Sequence, residues 1–116
     1  MTKVEQRKLF MKLRDACKTP KFEVVGGHLY SKGSQYKDIA QALLDTKLLD
    51  VDYARHIKGD SGNEMAMHPE DLTFKECCTA LTYVIRSEHW SEGSFAEYLK
   101  AGAVYKLLSR LVETLP

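Results

Sequence analysis

Thr73-Phe74-Lys75-Glu76-Cys77-Cys78-Thr79-Ala80-Leu81-Thr82-Tyr83-Val84-Ile85-Arg86 is the stretch that decides the fold. Phe74, Cys77, Cys78, Leu81, Val84 and Ile85 fall at i, i+3, i+4, i+7, i+10 and i+11, which is one apolar stripe on an α-helix. Thr73 and Glu76 have the spacing of a capping box, in which hydroxyl and carboxylate each accept the other's backbone N–H. The pattern predicts a central core helix with Phe74, Cys78, Leu81 and Ile85 largely buried.

Working outward, Ser91 to Ala101 reads as a further helix with Phe95, Tyr98 and Leu99 inward, broken at Gly102. Ala103, Val104, Leu107, Leu108, Leu111 and Val112 make a last apolar stripe. Before the central helix, Pro69 suits the first position of a helical turn. Residues 60–69 read as the least regular stretch, since Ser61-Gly62-Asn63 favours turns. Either Met65 or Met67 is expected to tuck against the core, because methionine fills gaps well.

The chain's first helix is signalled by Thr2-Lys3-Val4-Glu5, again with capping-box spacing, and by Leu9, Phe10, Leu13, Ala16 and Cys17. Thr19-Pro20 closes it, because a residue before proline avoids the helical region. Gly26-Gly27 between short apolar runs allows a β-hairpin. A second helix starts near Ser34, with Tyr36, Ile39, Ala40, Leu43 and Leu44 as its apolar face. Asp52 is the expected N-cap of a short helix running to Ile57, with Gly59 just beyond. The fold expected is all-α: a bundle of about five helices in one domain, residues 1–116, with at most a short hairpin.

Composition narrows the function. No apolar run approaches the ~18 residues of a membrane span, and no signal-type stretch follows Met1, so a cytoplasmic protein without membrane contact is expected. Cys17, Cys77 and Cys78 are odd in number and include an adjacent pair, which makes a poor disulfide framework and no zinc ribbon. Asp60, Asn63 and Glu64 lack the alternation, central glycine and terminal glutamate of a calcium loop, and the histidines are scattered. No metal and no cofactor is therefore expected. Net charge is +1, but residues 1–37 hold nine Lys/Arg against three Asp/Glu, and the remainder eight against thirteen. Lys3, Arg7, Arg14 and Lys18 lie on the more exposed side of the first helix and form a candidate basic face.

Arg86, Glu88, His89, Trp90 and Glu92 gather five functional side chains at the junction between two helices. One reading is a brace: Arg86 and Glu88 do not face each other on a helix, so Arg86 is expected to reach Glu92 across the turn, with Trp90 as a wedge. The other is a binding or catalytic cleft, in which two carboxylates beside a histidine do acid–base work. No nucleophile or oxyanion donor accompanies them, so no catalytic residue is assigned.

The segment from Leu81 to Leu111 resembles a family of small, mainly bacterial helical proteins catalogued as domain of unknown function six-five-zero-eight. Arg86, Glu88, Trp90, Glu92, Gly93, Gly102, Arg110 and Leu111 carry the likeness. It is looser at Tyr30, Asp52-Tyr53 and the loop before Pro69. The sequence departs from the pattern at His89, where arginine is usual, and at Trp90, where phenylalanine is usual. The resemblance implies a helical, bundle-like fold and no particular activity.

Three functional readings follow, in order. The first is a non-enzymatic protein-interaction module that binds a protein partner or associates with itself. The second is a nucleic-acid-associated domain using the basic N-terminal part; the near-neutral total charge and the lack of a recognisable reading motif count against it. The third is a small-ligand enzyme with its cleft at Arg86 to Glu92.

Overall fold

Helix α5, Phe74–Trp90, forms the centre of the structure. Its start is fixed by the expected capping box: the Thr73 hydroxyl accepts the Glu76 N–H at 3.2 Å, and the Glu76 carboxylate accepts the Thr73 N–H at 2.9 Å. Cys77, Cys78, Ala80, Leu81, Val84 and Ile85 are buried along it. Thr79 and Thr82 are buried too, and each hydroxyl donates to the carbonyl one turn back, so neither is left unpaired. Phe74 is only half buried, because it is the first residue of the helix and stands at the mouth of a cavity.

The computed structural model describes residues 1–57, 59 and 61–116, so Asp60 of the expected loop lies outside the described residues. The elements in chain order are α1 (Lys3–Ala16), β1 (Phe22–Val25), β2 (His28–Ser31), α2 (Gln35–Asp45), α3 (Tyr53–His56), α4 (Gly62–Met67), a 3₁₀ turn at Pro69–Asp71, α5, α6 (Ser94–Lys100) and α7 (Ala103–Thr114). The fold is mainly helical with one hairpin, as expected. Seven helices are counted among the described residues, α3 and α4 being short pieces of four and six residues.

α5 packs against α7, α4, α6, α3 and α2, while α1 closes the far side of α7. Phe10, Leu13, Leu43, Leu81, Leu107 and Leu111 meet in the resulting core, and all three cysteines are buried in it. Arg110 on α7 donates through Nε to the Leu72 carbonyl at 2.8 Å and so fixes the segment that leads into α5. No helix among the described residues is long and apolar enough to cross a membrane.

Three local expectations are corrected. The stretch expected to be irregular carries α4, where the Ser61 hydroxyl accepts the Glu64 N–H at 3.1 Å and Met65 and Ala66 are buried. Ser61 and Glu64 have the same spacing as the residues that cap α1 and α5; the turn-forming Gly-Asn between them masks it. Leu44 is 56% exposed, because Ile39, Ala42 and Leu43 already fill the inward face of α2. Ala16, the last residue of α1, is exposed as well.

The hairpin pairs Val25 with His28 and Phe22 with Ser31. Gly26 and Gly27 both take positive φ, +57° and +82°, the geometry of a two-residue turn that matches strand twist. β2 lies against α6. At that contact Gly93 has φ +90°, and a Cβ there would stand 3.1 Å from the Leu29 carbonyl oxygen. Gly93→Ala is expected to lower stability by about 1–2 kcal/mol through the left-handed conformation alone. A urea denaturation series checks it; an unchanged midpoint would show that α6 shifts off β2 without loss.

Candidate functional site

The end of α5 distributes its polar side chains over two faces. Arg86, His89 and Trp90 stand at i, i+3 and i+4 and share one face, while Glu88 points away from them. Glu88 is the brace. Its two carboxylate oxygens accept the Gly93 N–H at 3.0 Å and the Phe95 N–H at 2.9 Å. It therefore satisfies backbone groups at the start of α6, a helix whose N-cap residue, Gly93, has no side chain to do so. The Ser94 and Ser87 hydroxyls join the same junction at 2.9 Å.

The expected Arg86–Glu92 pair does not form. Glu92 turns to the hairpin, where it accepts the Tyr30 hydroxyl and lies 3.7 Å from His28 Nε2. The hydrogen bond to Glu92 pushes the Tyr30 phenol up to about 12. Arg86 is exposed and makes no ion pair among the described residues. A carboxylate two residues past the helix end follows the chain into the turn, toward β2, and leaves the face that carries Arg86.

Arg86 and His89 instead border a groove of about 340 Å³ between α2 and α5, with Leu44, Leu49 and Ile85 as its apolar lining. Trp90 extends this face: its ring meets that of His89 edge-on at 4.9 Å and is 79% exposed. No carboxylate lines the groove among the described residues.

The basic face of α1 is partly committed within the fold. Arg7 donates to the Val112 carbonyl at 3.3 Å and so links α1 to α7. Arg14 and Lys18 both pair with Asp15, at 3.2 and 3.3 Å, and Lys3 is exposed. Hydrogen bonds from Lys18, then Arg14, hold the Asp15 carboxyl below its usual range.

One cluster has no local signature in the sequence. Asp50 Oδ2 accepts the Thr79 hydroxyl at 2.7 Å and lies 2.8 Å from His56 Nδ1, and Oδ1 accepts the Asp52 N–H at 3.1 Å. The Asp50 N–H donates to the Thr82 hydroxyl at 3.0 Å. Asp52, the expected side-chain cap of α3, makes no such bond. Burial alone would raise the Asp50 carboxyl, but the bonds from Thr79, His56 and the Asp52 amide outweigh it and hold the group below its usual value. An ionised carboxylate only accepts, so His56 carries its proton on Nδ1 and turns Nε2 outward. The neighbouring Cys78 thiol is buried, and burial pushes it up to about 12, away from the thiolate form. The Thr79 hydroxyl is already bonded to Asp50 and to the Lys75 carbonyl. The groups of this cluster are thus largely bonded to one another. Among the described residues, no three His, Cys, Asp or Glu side chains group as metal ligands do.

A pH dependence follows. Because the Asp50 carboxyl is depressed in the fold, its contribution to stability is complete above its unfolded pKa and is lost as pH falls through the lower folded value. Acid denaturation of the wild type should therefore include a step that Asp50→Asn lacks. Parallel stability–pH curves for the two proteins would count against the hydrogen-bond set drawn here.

The architecture defines a small, mainly helical protein with one hairpin. Residues 1–115 match the family model described as "Family of unknown function (DUF6508)", and the chain belongs to that family. The resemblance read from Leu81 to Leu111 thus extends over essentially the whole chain. No curated protein and no solved structure matches it.

Proposed function

We propose that this chain is a single helical, cytosolic domain, residues 1–116, that works as a protein-interaction module docking through the face of Arg86, His89 and Trp90. The observation that carries the reading is the exposure of Trp90. It is the chain's one tryptophan and, at 79% exposed, contributes no packing that would explain a large apolar ring at a helix end. Tryptophan and arginine side by side are the residue types that dominate binding energy at protein interfaces.

The neighbouring groove narrows the kind of partner. Leu44 and Leu49 offer an apolar seat, and Arg86 offers a guanidinium that, among the described residues, has no ion pair and no carboxylate beside it in the groove. The fitting occupant is a peptide segment with an apolar side chain for the groove and a carboxylate for Arg86. The nucleic-acid reading has less support, because Arg7, Arg14 and Lys18 already hold partners within the fold.

Selection from a displayed random-peptide library tests the proposal. Sequences enriched on the wild type should combine an apolar residue with Asp or Glu. Their affinity should fall about 30-fold or more on Trp90→Ala, the scale of a central interface residue. Binders that tolerate Trp90→Ala would place recognition elsewhere. A concentration-dependent dimer abolished by the same substitution would make a second copy the occupant.

A further inference from the structure

Between the end of α2 and the first turns of α5 lies a cavity of about 530 Å³. Leu48, Phe74 and Cys78 give it apolar walls, and Lys47, Lys75 and His56 stand among its polar lining. The two carboxylates that also line it are already engaged. Glu76 is held in the capping box of α5, and Asp50 accepts from Thr79, His56 and the Asp52 amide. Neither lysine makes an ion pair among the described residues. The donors left to face a ligand among the described residues are two ammonium groups, beside an imidazole held by its far nitrogen.

Lys47 also stands in an unusual backbone conformation. The Leu48 N–H donates to the Leu43 carbonyl at 2.9 Å and the Lys47 N–H to the Leu44 carbonyl at 3.1 Å, which closes α2 in a Schellman motif. That motif puts its C′ residue in the left-handed region, where glycine is the usual occupant. Here the residue is Lys47, at φ +60°, and among the described residues no other non-glycine has a positive φ. A lysine at this position adds backbone strain, and its side chain makes no hydrogen bond or ion pair among the described residues in return. What it does add is a cation at the cavity. Strain retained at one position in this way is a mark of function.

We infer that this cavity is a binding site for a small organic anion, whose apolar body packs on Leu48 and Phe74 beside the His56 ring and whose carboxylate or phosphate is held by Lys47 and Lys75. The site shares no lining residue with the Arg86 groove and does not depend on the interaction proposed there.

The strained lysine supplies a test that separates function from folding. Benzoate and phenyl phosphate are titrated into the isotopically labelled protein, with benzamide and inorganic phosphate as controls for body and charge. At least one of the two aromatic anions should shift the resonances of His56, Phe74 and Thr79 and bind at least tenfold more tightly than either control; which of the two binds better identifies the acidic group. Lys47→Gly should raise the melting temperature by relieving the left-handed strain and should weaken that binding at least tenfold. Lys75→Gln should weaken it without raising the melting temperature. No shifts at these residues, equal binding of benzamide, or unchanged affinity in Lys47→Gly would each overturn the site.

Discussion

Leu81→Ala is expected to cost about 2–5 kcal/mol, the range for truncating a leucine whose site cannot collapse. Leu81 is 1% exposed and sits midway along α5, the helix that α2, α3, α4, α6 and α7 all touch. With neighbours on so many sides, no single element can move in to fill the space without leaving another. Chemical denaturation measures the loss as a lower midpoint with an unchanged slope. A loss under about 0.5 kcal/mol, the scale of an ordinary surface substitution, would mean that α5 is not the centre of the core.

The second large effect is expected at Glu88. Glu88→Ala removes the acceptor for the Gly93 and Phe95 N–H groups, both on buried residues at the start of α6. Hydrogen bonds to a charged group contribute about 1.5–3 kcal/mol each, so the combined loss should be about 3 kcal/mol. Glu88→Gln keeps an acceptor oxygen for one N–H and should recover part of it. Amide exchange locates the damage: α6 should lose protection while α1 and α7 keep theirs. A substitution that leaves α6 protected would mean that water or another side chain takes over those two donors.

These two residues also show how far the sequence could be read. Leu81 belongs to a stripe whose 3.6-residue period is a purely local property, so its burial is visible without the fold. The capping boxes at Thr2 and Thr73 are local in the same sense, and both are present in the structure. Glu88 was legible as part of the junction, but its partner was not. Opposite charges point to Arg86 and Glu92 as the brace, whereas Glu88 takes backbone N–H groups that no residue type advertises. Which face of α5 each of the five junction residues occupies depends on where the helix stops. That is set at Ser91, whose extended backbone ends α5 and sends Glu92 toward Tyr30.

The Asp50 cluster was hidden for a related reason. Asp50 and His56 are six residues apart, and Thr79 and Thr82 come from another helix, so the set exists only once α2, α3 and α5 are packed. Likewise the strain at Lys47 belongs to the backbone and not to the letter.

Since Arg86 is exposed and unpaired among the described residues, Arg86→Ala should change stability by about 1 kcal/mol or less, and effects on binding can be measured on a folded protein. The direct measurement is a charge exchange across the proposed interface, using a peptide selected on the wild-type protein. Arg86→Glu should weaken binding of that peptide at least tenfold, and replacing the peptide's own Asp or Glu by Arg should restore affinity for the Arg86→Glu protein and not for the wild type. Equal binding of both peptides to both proteins would contradict the assignment of this face as the docking surface.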